Sequence, residues 1–105
     1  MNIKKMMQEA QRMQQQMAAA QEELAQRTVE ATAGGGKVTV VANGAGDVIS
    51  LKIAKEVVDP EDVEFLEDLI LTAVKKAIED GKAMQQAEMS KLMPPGMGGL
   101  GGMRF

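Results

Sequence analysis

The chain has 105 residues, a formal net charge of −3, ten methionines and two phenylalanines, and no cysteine, histidine, tryptophan or tyrosine. These counts exclude disulfides, a thiolate nucleophile, an imidazole base or ligand, and stacking of bases on an aromatic platform. They leave room for one small domain, which exposes much of its surface and often gains stability by oligomerising.

The start, Met1-Asn2-Ile3-Lys4-Lys5, runs into glutamine-rich sequence instead of a secretory apolar region, and no apolar run reaches membrane-spanning length. The expectation is a soluble, cytoplasmic protein without a membrane partner. Residues 3–26 form the first predicted helix. Ile3, Met6, Ala10, Met13, Met17, Ala20 and Leu24 recur at alternating spacings of three and four, an a/d seam set among good helix formers. Such a helix is about 36 Å long. Its seam of Met and Ala fits a tight, adaptable contact better than a bulky core face.

A small sheet is predicted over residues 27–53. Val29, Ala31 and Ala33 alternate with Thr28, Glu30 and Thr32, as in a half-buried strand. Gly34-Gly35-Gly36 supplies a turn in which positive φ is allowed. A second strand, 37–43, sets Val38, Val40 and Ala42 on one face, and the loop Asn43-Gly44-Ala45-Gly46-Asp47 returns the chain into a third strand, 48–53. There Ile49, Leu51 and Ile53 are expected on one side and Ser50 and Lys52 on the other. Two short connections in a row imply an antiparallel meander with one covered face.

The second helix is predicted over 60–92, with Asp59 as N-cap and Pro60 in the first helical position. Val63, Leu66, Ile70, Ala73, Val74 and Ala77 make its apolar face, and Gly81 marks a bend or a close approach. At about 50 Å this helix, like the first, overshoots strands that reach only about 23 Å. The overhanging Met6, Met13 and Met17, with Met84 and Met89, then need apolar partners, either each other in an antiparallel arm or a second subunit. Residues 1–93 are thus expected to form a single dimerising α+β domain. Residues 94–105, rich in Pro, Gly and Met, are expected to be a flexible tail.

Charge is unevenly spread. Residues 59–80 carry eight acidic and two basic side chains, net −6, whereas 1–27 sum to +1 and 81–105 to +2. Much of the acid is a helix-start signal that complements the dipole. The cations form groups: Lys4 and Lys5 at the free end of the first helix with Arg12 two turns on, Lys75 and Lys76 midway along the second, and Lys82 and Lys91 beyond them. Local groups of this kind matter more to a polyanion than the total does.

No motif carries catalysis or a cofactor. Gly34-Gly35-Gly36-Lys37 lacks the Ser or Thr, the earlier glycine and the following helix of a phosphate loop. The acids around Asp59 to Asp68 lack calcium-loop spacing, and Glu67 and Asp68 are expected to hydrogen-bond at a packing edge. Ser50 and Ser90 have no histidine to activate them. The expectation is a protein that is not an enzyme and needs no cofactor, metal or small-molecule substrate.

The order helix, Gly-rich turn, Lys-Val-Thr-Val strand, Asn-Gly hairpin and closing helix resembles the YbaB/EbfC family of bacterial nucleoid-associated proteins over residues 5 to 92. The pieces that carry the likeness are Met7-Gln8-Glu9-Ala10-Gln11-Arg12-Met13-Gln14, Gly35-Gly36-Lys37-Val38-Thr39-Val40 and Leu66-Glu67-Asp68-Leu69-Ile70 with Ala73-Val74. The resemblance implies an α-β-β-β-α subunit in a tweezer-like homodimer. It also implies nucleoid-associated binding to double-stranded DNA, with effects on DNA conformation, chromosome organisation and gene expression. By position it assigns DNA contacts to Lys4, Lys5, Arg12, Lys82 and Lys91. The residues alone leave a second reading open, in which the Met-rich seams clamp a partner helix and the protein is an interaction scaffold.

Overall fold

The computed structural model describes residues 2–92, so the expected tail, 94–105, lies outside the described residues. Helix α1 (Ile3–Gln26) leads into strands β1 (Thr28–Ala33), β2 (Val38–Asn43) and β3 (Val48–Ile53). A short 3-10 turn, Lys55–Val57, precedes helix α2 (Val63–Leu92). The strands form one antiparallel sheet in the order β1-β2-β3. This is the α+β meander with two long helices expected from the sequence.

Local chemistry sets the boundaries. Asn2 caps α1, its side chain accepting from the Lys5 backbone N–H at 3.1 Å. Arg27 ends α1 in extended conformation, so β1 starts one residue later than expected. Gly34, Gly35 and Gly36 all take positive φ (65°, 69° and 90°), where a side chain would be strained, and Lys37 still belongs to that turn. The start of α2 departs from expectation. Asp59 accepts from Glu61 N–H through Oδ1 at 2.9 Å and from Asp62 N–H through its carbonyl at 2.9 Å, which folds Asp59 to Asp62 into a turn. The cap is Asp62, whose Oδ1 accepts from Phe65 N–H at 3.3 Å, and Pro60 stands before the helix instead of in its first position.

The core is small and lies between α2 and the first two strands. Ala31, Val38, Val40 and Ala42 of the sheet meet Ala73 and Ala77 of α2, with Leu66, Leu69, Ile70 and Val74 around them. Ala73, Ala77 and Gly81 recur every fourth residue, and all three are buried. This row of small side chains lets the helix lie close to the strands. Burying Val38 and Val40 completely contributes about 2 kcal/mol each.

The third strand corrects the expected pattern. Helix α2 lies over β1 and β2 and scarcely reaches β3, so every residue of β3 is exposed. Leu51 opposes Val40 and Ile53 opposes Val38, which puts them on the helix-covered face, yet they are 44% and 36% exposed. The register shifts between Val41 and Ala42: Ser50 opposes Val41 and Val48 opposes Ala42, leaving Ile49 as the extra, bulged residue. The simple alternation Ile49, Leu51, Ile53 is therefore broken. Glu67 and Asp68 are exposed as well, not lodged at a packing edge. The 3-10 turn, absent from the predicted elements, tucks Val57 against the core.

The shape is long. Principal extents are 71 × 31 × 16 Å and the radius of gyration is 19.6 Å, against about 13 Å for a compact chain of this length.

Candidate nucleic-acid interface

The two helices meet at one tight joint beyond the end of the sheet. Asn43, only 5% exposed, donates its Nδ2–H to the Ala25 carbonyl at 3.1 Å, while its Oδ1 accepts from the N–H groups of Ala45 and Asp47 at 3.0 and 2.9 Å. Gly44 donates its N–H to the Leu24 carbonyl at 2.8 Å. A Cβ on Gly44 would fall 2.8 Å from that same oxygen, and one on Gly81 would fall 2.5 Å from the Asn43 carbonyl oxygen. Glycine at these positions is what allows α1, the β2–β3 hairpin and α2 to touch backbone to backbone. The close approach expected of Gly81 is therefore real, and its neighbour is the hairpin.

Beyond the joint α1 is bare. Leu24 is buried and Ala20 half-buried, but every residue from Asn2 to Ala19 is exposed. Lys4, Lys5 and Arg12 all lie on this free stretch, and no carboxylate is paired with them among the described residues. Lys5 and Arg12 share a face, seven residues apart, and with Gln8 and Glu9 they border a shallow recess of about 260 Å³. Arg12 also borders the adjoining recess with Glu9, Met13 and Gln16, so the basic stripe runs beside the methionine seam.

The remaining expected residues divide. Met6, Met13 and Met17 are 56%, 40% and 43% exposed. The same seam is buried at Leu24 and opens outward along the arm. Met84 and Met89 are half-buried on the part of α2 beyond the joint. Lys82 is exposed, next to Gly81. Lys91 donates to Glu88 at 3.2 Å, and Arg27 donates to the same carboxylate oxygen at 2.9 Å. These two cations hold the Glu88 carboxyl below the usual carboxylate range, Lys91 contributing most. Arg27 was not among the expected site residues. Its one sequence signal is a basic residue at the end of a helix, and its partner is 61 positions away.

The acid concentrated in residues 59–80 does not share this end of the molecule. It flanks the part of α2 that covers the sheet, whereas Lys4 stands about 30 Å along α1 from Leu24. At 0.1 M salt the screening length is about 10 Å, so the arm tip hardly senses the chain's overall negative charge.

The YbaB/EbfC DNA-binding family matches the chain over residues 1–97. The chain belongs to this family. Nucleoid-associated proteins are similar to it over most of their length: one from Acetivibrio thermocellus is 52% identical over 101 residues (96% of this chain, 86% of the relative). Another, from Desulforamulus reducens, is 58% identical over 91 residues (87% of each). The fold recurs in the crystal structure of the uncharacterized protein HP0035 from Helicobacter pylori, with a TM-score of 0.80, covering 90% of this chain and 99% of that one at 18% identity. Within the YbaB/EbfC family the bare, cation-bearing helix reads as DNA-binding surface, and the partner-helix clamp is the less favoured account of the Met seam. Among the described residues no helix is long and apolar enough to cross a membrane.

Proposed function

We propose that this protein binds double-stranded DNA in the nucleoid as a homodimer, gripping the phosphate backbone with its projecting helices. The observation that carries the reading is the free α1 arm, which presents Lys4, Lys5 and Arg12 without carboxylate partners among the described residues. Lys82 and Lys91 add to this set from α2. Contacts of this kind position a protein on the duplex and read little sequence.

Dimerisation is supported by what one chain leaves uncovered. Leu51 and Ile53 lie on the core face beyond the reach of α2, and Val48 and Ile49 are 44% and 56% exposed beside them. The seam of Met6, Met13 and Met17 is likewise uncovered by the chain's own α2. A second copy would bury such surfaces, with residues 1–93 acting as one dimerising domain, and would double each cationic group. The names of the relatives place them at the nucleoid, which supports the same location here.

Fluorescence anisotropy with a labelled duplex, repeated over a salt series, tests the reading. Six arm cations in a dimer predict a log–log salt slope of about −5, or roughly a thousandfold loss of affinity between 50 and 200 mM salt. A dimer by light scattering that does not bind duplex at low salt would overturn direct DNA binding and restore the scaffold reading.

A further inference from the structure

We propose that Arg27 and Lys91 form a second phosphate-binding site, which Glu88 fills in the free protein and yields to the DNA backbone. The inference rests on the DNA-binding reading above and adds a residue, Arg27, and an internal competitor to it.

Two cations from different elements converge on a single atom. Arg27 Nη1 lies 2.9 Å and Lys91 Nζ 3.2 Å from Oε1 of Glu88. Such an oxygen, held by a guanidinium and an ammonium, occupies the position that a non-bridging phosphate oxygen would take. Only one guanidinium nitrogen of Arg27 is used, so the fork that matches phosphate bidentately is half engaged. The cations also face solvent more than the anion does: the side chains of Arg27 and Lys91 are 42% and 71% exposed, and that of Glu88 21%. An incoming polyanion therefore meets the two donors before the carboxylate.

The pair is well placed for this role. Arg27 is fixed at the joint, its backbone N–H donating to the Glu23 and Leu24 carbonyls at 3.1 and 3.2 Å. Lys91 sits in the last turn of α2. The site therefore spans both helices close to where they leave the sheet, inward of the arm cations. Exposed ion pairs are individually weak, so Glu88 is displaced at small cost. It acts as a modest brake on binding, and it sets a threshold that only a dense array of phosphates overcomes.

The test is anisotropy against one labelled duplex over a salt series, comparing wild type, Glu88→Gln, and Glu22→Gln as a control with the same charge change on α1. Glu88→Gln is expected to raise affinity about three- to fivefold at 0.1 M salt and to steepen the salt slope by about 2 as both cations turn to phosphates. The control should raise affinity less and leave the slope unchanged. Adding Arg27→Gln to Glu88→Gln should abolish both gains. A strap that merely held the helices together would, once cut, lower affinity or leave the slope alone. Glu88→Gln behaving as Glu22→Gln does, while wild type binds normally, overturns the second site and spares the arm reading. Absence of binding by wild type and variants alike overturns both.

Discussion

The joint and the α1 arm are built from one continuous helix, yet they are opposite kinds of structure. At the joint Leu24, Asn43, Gly44 and Gly81 are all buried, and backbone oxygens sit where a single added carbon would collide. Along the arm every side chain from Asn2 to Ala19 is exposed, and helix propensity, an Asn2 cap and the mutual spacing of side chains hold the structure. The difference separates two demands. The joint fixes where the arm points and tolerates almost no change in volume. The arm carries charge to a target and tolerates almost any change that keeps it helical. Stability and function are therefore expected to be divided between the two regions, and substitution can break or sharpen that division.

The largest effect is expected at the joint. Leu24→Ala removes the arm's one fully buried anchor and should cost about 3 kcal/mol in chemical unfolding. A loss under about 1 kcal/mol would mean that the joint is looser than its contacts imply. Asn43→Ala deprives two backbone N–H groups and the Ala25 carbonyl of their partner in a buried setting, for about 2 to 3 kcal/mol by the same measurement. Gly81→Ala sets the clash with the Asn43 carbonyl against a gain in helix propensity of about 1 kcal/mol, so a net loss of about 1 kcal/mol is expected. A net gain would show that α2 shifts freely at this point.

On the arm the sign of the comparison reverses. Lys4→Glu combined with Lys5→Glu should leave the unfolding midpoint nearly unmoved and lower DNA affinity more than about a hundredfold at 0.1 M salt, since a dimer loses four phosphate contacts. Circular dichroism and anisotropy on one preparation check both halves. The smallest effect concerns acid. The Glu88 carboxyl is held below its ordinary range in the folded chain, so its ion pairs contribute stability at neutral pH. That contribution is lost as pH falls from the usual carboxylate range through the lowered value. The stability difference between wild type and Glu88→Gln should therefore narrow on acidification, and a difference that widened would reverse the assigned direction.

Legibility in the sequence follows the range of the interactions. Helix α1, with its seven-residue seam repeat, and the two hairpins, with their glycine turns, depend on neighbours a few residues apart and match expectation to within a residue. The start of α2 was displaced because two aspartates, Asp59 and Asp62, compete for the cap, and a local turn claims the first. The exposure of β3 was not legible. Its residues alternate well enough to suggest a covered face, but one helix is too narrow to shelter three strands, and the bulge at Ile49 needs the partner strand to be seen. The arm cations Lys4, Lys5 and Arg12 were found as a local charge group. Arg27 was not, because its meaning lies in a carboxylate 61 residues away that only the joint brings near.

The central claim is that DNA is held at the arms and not along the sheet. Lysine acetylation with and without duplex, read by mass spectrometry at each site, tests it most directly. Lys4, Lys5 and Lys82 should react more slowly when DNA is bound, while Lys37, Lys52, Lys55, Lys75 and Lys76 keep their rates. Protection of the sheet-side lysines, with Lys4 and Lys5 unchanged, would contradict the account.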